Sequence, residues 1–424
     1  MKWGILIIAG QRPSVTGITW RCEVLIRDHA RRWKYHRLFV VLLGLSLPQI
    51  LTAASSSAGT APLFLDANRV YAELTFVLPD GTSRLAVAYV DLGSPSILIS
   101  QALYKELQLD QKKPLTFKVG DKPVQVNTNA VTRDNWLPFT IGDNRKVEAL
   151  LPAGVLQKYA VVIDYAKREL TLADSGALKP EGEPFACHVD EKTGLAAIEV
   201  SIDGHSYAIA IDVGSAYTWL SKASVQQWLA THPDWQRGLG AVGTANMRMD
   251  DDGIEAGGVL VRIPEIKLGS VALQDVGALA IGPSKSNWDF IDWYSQKNAV
   301  PVIGWLGGNV LQDFRITIDY PNRMTYWQRE KETDRHELDQ VGLTLVHKEG
   351  EYFVGAVATQ NGKPTVEGVQ AGDKLVQIGP LHTSGVTSSE VLAALHGTPG
   401  EARVLVLEHD GKPFTIKAKV MAFQ

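Results

Sequence analysis

Two aspartates stand in the same four-residue turn, Asp91-Leu92-Gly93-Ser94 and Asp212-Val213-Gly214-Ser215, and apolar runs flank both copies. A carboxylate at the tip of a turn between buried strands is costly to desolvate, so it needs hydrogen-bond donors. Gly93 and Gly214 let backbone approach closely, and Ser94 and Ser215 can each donate a hydroxyl to the preceding carboxylate. If the two copies meet about a pseudo-twofold axis, Asp91 and Asp212 face each other. Like charges that close cannot both ionise, so the pair shares one proton. One aspartate then acts as base on a water and the other as acid on a carbonyl oxygen. That chemistry is amide hydrolysis without a covalent intermediate, and it requires no metal or organic cofactor.

The elements that must position these turns are also duplicated. Each turn lies between an apolar strand ending at the aspartate and a second one, residues 86–100 in the first copy and 207–221 in the second. Further on, residues 156–171 recur as 311–325, both with Ile-Asp-Tyr followed by an arginine. Two elements in the same order, twice, predict two similar lobes at residues 63–173 and 184–329. Short alternating runs broken by Pro-Asp-Gly, Gly-Asp-Lys and Asp-Gly predict a mostly β fold for both.

The paired Asp-x-Gly-Ser strands, each followed by an apolar-glycine turn and an Ile-Asp-Tyr strand, resemble the pepsin and retropepsin group of aspartic proteases, and within it the bacterial single-chain members that carry a PDZ domain. The resemblance implies two acid-protease β-barrels with Asp91 and Asp212 in the catalytic positions. Residues 303–309, with Gly304 and Gly307, resemble the family's loop beneath the second aspartate. Three departures stand out. The residue after each aspartate is Leu92 or Val213 where the family has a hydroxyl, Pro152 stands where the second lobe has Gly307, and no tyrosine-bearing flap is evident. Residues 117–139 are expected to supply a hairpin in that place.

Other reactive residue types have plainer readings. Asp164 and Asp319 are duplicated but sit beside tyrosine and arginine, which suits ion pairs or turns. The run Asp250-Asp251-Asp252 lacks the spacing of a calcium loop, so no metal site is expected. Cys187 and His188 are adjacent, and neighbours on a strand point to opposite faces. Trp288, Phe290, Trp293 and Tyr294 either line a cleft or pack a loop onto its lobe.

Composition changes after residue 338. Residues 338–424, with Val341-Gly342-Leu343-Thr344, a Gln-Ala-Gly-Asp-Lys-Leu stretch and a helical stretch at 388–395, resemble a small α+β PDZ domain. The resemblance implies backbone amides near Val341, Gly342 and Leu343 that take a peptide's terminal carboxylate. It also implies a groove beside the following strand that adds the peptide as an extra strand. A purely structural role, with the groove empty or occupied by its own chain, is the alternative.

Ahead of the lobes, residues 1–54 read as an extension and a signal peptide: basic residues 31–37, an apolar stretch at 38–47, then small residues. Export to a periplasm or the cell exterior is expected, with membrane attachment only through an uncleaved signal. A formal charge of −4 over 424 residues gives no basic field for nucleic acid. The expected partner is a polypeptide, either as a substrate that is cut or, if the dyad is inactive, as a ligand that is held.

Overall fold

Alternation decides the first strand that matters. In Ser83–Asp91, Ala86, Ala88 and Val90 turn into the core, while Val87, Tyr89 and Asp91 turn to the opposite face. The computed structural model describes residues 57–423 except 110–113 and 236; the expected extension and signal peptide at 1–54 lie outside the described residues. The fold is mostly β, as the turn-broken alternation predicts.

The two halves repeat one topology. In the first, Ser83–Asp91 leads through the Asp91 turn to Ile97–Ser100, and Arg145–Pro152 threads between them, parallel to the one and antiparallel to the other. In the second, Gly304–Leu306 threads in the same way between His205–Ile211 and Thr218–Ser221. Leu151 lies opposite Val90 and Leu306 opposite Ile211, equivalent places in the two repeats.

The halves also share a sheet. Ala160–Asp164 pairs antiparallel with Phe314–Asp319, and the central pair is Val162 with Thr317, residues that correspond in the repeat. Val161 faces Ile318 and Ile163 faces Ile316, so each position meets the other's duplicate across a local twofold. A self-complementary ladder of this kind orients the two halves and carries Asp91 and Asp212 toward each other. One apolar core cluster runs through both, from Ala61 to Trp327.

A second sheet follows, with Asp339–Val341, Lys412–Ala422, Ala402–His409, Lys374–Ile378, Glu351–Val357 and Leu343–Lys348 in spatial order. The helix Ser388–Leu395 forms where the sequence predicts it. Its start is held by a capping box between Thr387 and Glu390, and Val391, Leu392 and Leu395 are its buried face. Thr359–Gln360 leaves this region to pair with Arg237–Leu239 of the preceding half, so backbone hydrogen bonds join the two.

Candidate active site

Asp91 ends its strand and Asp212 directly follows its own, both on the cleft side, while the residues after them, Leu92 and Val213, are fully buried in the core. Apolar packing therefore anchors these turns at the positions where the resemblance implies hydroxyls, and burying a hydrocarbon there leaves no polar atom unsatisfied. Beneath the second turn, Asp212 N donates to Leu306 O at 3.1 Å and Gly308 N to Ser215 O at 2.7 Å. Thr218 N and its hydroxyl converge on Asn309 Oδ1 at 2.8 and 3.0 Å. Gly304 and Gly307 lie so close to the Trp219 and Tyr217 backbone that a Cβ at either would overlap it. The first half reaches the same place with Pro152 extended opposite Asp91; there the close backbone approach falls at Gly154, against the Pro95 carbonyl.

Asp91 and Asp212 meet. The Gly93 amide donates to both carboxylates, 2.9 Å to Asp91 Oδ1 and 3.0 Å to Asp212 Oδ1. Asp212 takes two further donors, Gly214 N at 2.9 Å and the Ser215 hydroxyl at 2.7 Å. The first serine behaves differently from the sequence expectation: the Ser94 hydroxyl turns to Ser96 O at 3.4 Å. The turns are thus unequal, and so are the carboxyls. Burial and then the facing Asp212 charge push Asp91 well above the ordinary carboxylate range. Burial also raises Asp212, but its donors and the hydrogen bond from Asp91 offset part of that. With three donors on Asp212 against one on Asp91, a proton shared by the pair is favoured on Asp91, and Asp212 is the better-stabilised carboxylate.

A cleft of about 780 Å³ opens over the pair. The first half contributes Tyr71, Tyr89, Trp136 and Phe139; the second contributes Phe290, Trp293, Tyr294 and Trp305. Trp136 is 55% exposed and Trp293 40%, large apolar surfaces presented to a ligand. Of the expected aromatic group, Phe290, Trp293 and Tyr294 line the cleft, and Tyr294 is also buried against Trp305 at 4.9 Å. The Tyr294 hydroxyl is buried without a partner among the described residues and lies within electrostatic reach of both aspartates.

Several cleft residues escaped the sequence reading. Tyr89, two residues before Asp91, donates its hydroxyl to Gly214 O across the halves; the period of two that places it on the Asp91 face was the available signal. Arg69 is half-buried beside Tyr71, Tyr89 and Asp91 and donates to Met247 O. The expected flap hairpin is a correction. Leu115–Val119 and Lys122–Val126 do form a hairpin, but its Phe117 packs in the core through pairing with Arg69–Val77. From the end of the expected segment, Trp136 and Phe139 line the cleft, followed by Thr140.

The plainer residues have plain surroundings. Asp164 pairs with Lys167 and Arg315, and Asp319 accepts from Ser175 and Asn322. Cys187 is buried, and burial pushes its thiol up to about 12, so it carries no thiolate at neutral pH. Asp250 and Asp252 both pair with Arg248. No helix among the described residues is long and apolar enough to cross a membrane.

In the last sheet, Val341 lies opposite Val420 and Leu343 opposite Val357, and a Cβ at Gly342 would overlap the Thr365 hydroxyl. The stretch expected to cradle a terminal carboxylate is thus packed from within. Thr344, also buried, lies opposite Ala356. The outer edge of Leu343–Lys348, where an external peptide was expected, carries the chain's own residues: Leu345 N donates to Asn246 Oδ1 at 2.6 Å and His347 N to Met249 O at 2.7 Å.

Glu255 holds that inserted segment. Its carboxylate accepts from Met247 N at 2.6 Å, Met249 N at 2.8 Å, Arg248 N at 2.9 Å and Asn246 Nδ2 at 3.0 Å. Burial still dominates and raises its pKa from 4.5 to about 7. The folded chain therefore holds a proton on Glu255 that the unfolded chain releases near pH 4.5. Its stabilising contribution is present below that pH and lost as pH rises through 7. At about 1.4 kcal/mol per unit, this one group lowers stability by about 3 kcal/mol between pH 4.5 and 7.5. Asp313, raised by burial to about 6, acts in the same direction. Thermal melts should show a lower midpoint at pH 7.5 than at 5.0, with the difference reduced in Glu255→Gln.

A scan of protein-family models gives no match to the chain, and a search of curated proteins gives none. Among solved structures the chain is similar to one titled photosystem II D1 C-terminal processing protease, at 20% identity over 20% of this chain and 24% of that one, with a TM-score of 0.18. The chain spans about a quarter of that protease's length, and a likeness of this extent carries no argument about fold or chemistry.

Proposed function

We propose that the chain is an aspartic-type endopeptidase in which Asp212 and Asp91 are the catalytic pair. The observation that carries this reading is the Gly93 amide bonded to both carboxylates at 2.9 and 3.0 Å, because one donor brings the two acids together at the floor of a cleft. Asp212, the carboxylate, removes a proton from a water as its oxygen attacks the peptide carbonyl carbon. Asp91 gives its proton to the carbonyl oxygen, and the product is a neutral gem-diol. As the C–N bond breaks, Asp212 passes its proton to the leaving amine and a diol hydroxyl returns one to Asp91. The products are an acid and an amine, and the pair is restored. Gly93, Gly214 and Ser215 position Asp212; Gly304 and Gly307 shape the loop beneath it.

The walls suggest the substrate. Trp136 and Phe139 on one side and Phe290 and Trp293 on the other favour extended polypeptide with bulky apolar residues near the scissile bond. Export of the chain, read from residues 31–55, belongs to the same proposal. A second reading has an observation of its own: Ser94 is turned away from Asp91, which leaves that carboxyl with fewer donors, as in a cleft that holds peptide without cutting it. The deciding experiment is digestion of an unstructured protein across pH 3 to 7. Cleavage on the acid side of neutrality, weakening at the lowest pH as Asp212 takes up a proton, supports the enzyme. Tight peptide binding with no cleavage at any pH supports the second reading.

A further inference from the structure

Residues 246–249 run along the open edge of Leu343–Lys348 much as an added strand would. The edge amides of Leu345 and His347, two residues apart and hence on one side of the strand, are taken by Asn246 Oδ1 and Met249 O. The Asn246 amide returns a hydrogen bond to Leu345 O at 3.1 Å, so a side chain imitates a backbone pair. Met249 is 3% exposed and belongs to the apolar cluster of the last sheet, with Leu345, Val391 and Leu395. The neighbouring residues of the same segment face the other way: Met247 and Arg248 line the cleft, Met247 O accepts from Arg69 beside the aspartates, and the Arg248 guanidinium lies 5.3 Å from the Phe290 ring centre.

We propose that residues 246–249 are an internal ligand closing a polypeptide groove between Leu343–Lys348 and Ser388–Leu395. An extended polypeptide with an unbranched apolar side chain in the Met249 place competes for that groove and releases Met247 and Arg248 from the cleft rim. The chemistry of the occupant defines the competitor: two edge amides take a carbonyl or amide oxygen each, and the pocket takes a methionine-sized hydrocarbon. A tethered ligand acts at an effective concentration in the mM range, so the groove resists exchange unless the tether's own contacts weaken. An effect of exchange on cleavage rests on the hydrolytic reading; the groove and its occupant do not.

The test uses the chain with the fluorescein-labelled peptide Thr-Ala-Asn-Met-Arg-Met-Asp, the sequence of residues 244–250. Fluorescence anisotropy should show binding to an Asn246→Ala, Met249→Ser variant at least about 10-fold tighter than to the native chain, whose groove is filled. Equal binding to both overturns the proposal, as does no binding to a folded variant. Hydrogen exchange on the native chain decides the matter if that variant fails to fold. The Leu345 and His347 amides should be protected with or without peptide, while excess unlabelled peptide should speed exchange at Met247, Arg248 and Met249. Unchanged exchange at those three amides under excess peptide overturns it. Cleavage that rises in the variant adds the link to the cleft. A chain that binds in this way but cuts nothing loses the hydrolytic reading alone.

Discussion

Asp212→Asn and Asp91→Asn are each expected to lower cleavage by about 10³-fold or more while leaving the chain folded. Asparagine at 212 cannot take the proton from water, and asparagine at 91 cannot give one to the carbonyl oxygen. Both keep the shape of the side chain and an oxygen for the Gly93 amide. Neither substitution should unfold the protein, because both carboxyl pKa values are raised and the ionised forms are disfavoured inside. Melting midpoints at pH 7 should therefore stay level or rise. The unequal turns sharpen the test. Ser215→Ala removes a 2.7 Å donor from Asp212 and should slow cleavage by about 10-fold, whereas Ser94→Ala touches no carboxylate and should change little. Retention of more than about a tenth of native cleavage in either Asn variant would remove the pair from the chemistry.

Gly304→Ala should have the largest effect on stability, about 4 kcal/mol or more in denaturant unfolding. Gly304 has φ +145°, a backbone state that side chains rarely adopt, and a Cβ there would overlap the Trp219 carbonyl and lie 2.9 Å from Leu220 Cα. Those atoms belong to a strand packed in the core, so they cannot yield without breaking the threaded pairing that carries the Asp212 turn. Gly81→Ala is the comparison. Gly81 also has positive φ, +85°, but nothing lies within 4 Å of its Cβ position, so only backbone strain of about 1 kcal/mol applies. Similar losses at the two positions would mean that crowding at the threaded strand does not matter.

How much of this was legible beforehand depends on the range of the interaction. The strand-turn-strand around each aspartate is local: alternation buries Ala86, Ala88 and Val90, and the turn residues follow at once, so the sequence carries it. Duplication was legible for the same reason, since two similar segments fold similarly, and a twofold relation between them then brings Asp91 and Asp212 together. The helix Ser388–Leu395 was readable because its capping box and apolar face lie within eight residues.

What only the tertiary structure decided are the contacts between segments distant in the chain. The Ser94 hydroxyl prefers Ser96 O, although its composition matches Ser215, because an identical local motif has different neighbours in each half. Tyr89 reaches Gly214 across the halves, and no pattern within either repeat encodes that crossing. The groove is the clearest case. The residues of Leu343–Lys348 have the pattern of an open peptide-binding edge, and the segment that fills it lies about a hundred residues earlier, in a stretch with no strand pattern. Met249 leaves water there by packing among side chains of another sheet, and Glu255 satisfies the backbone that this insertion exposes. Apolar burial and hydrogen-bond satisfaction determine both outcomes, but neither can be assigned until folding has chosen which partners are near.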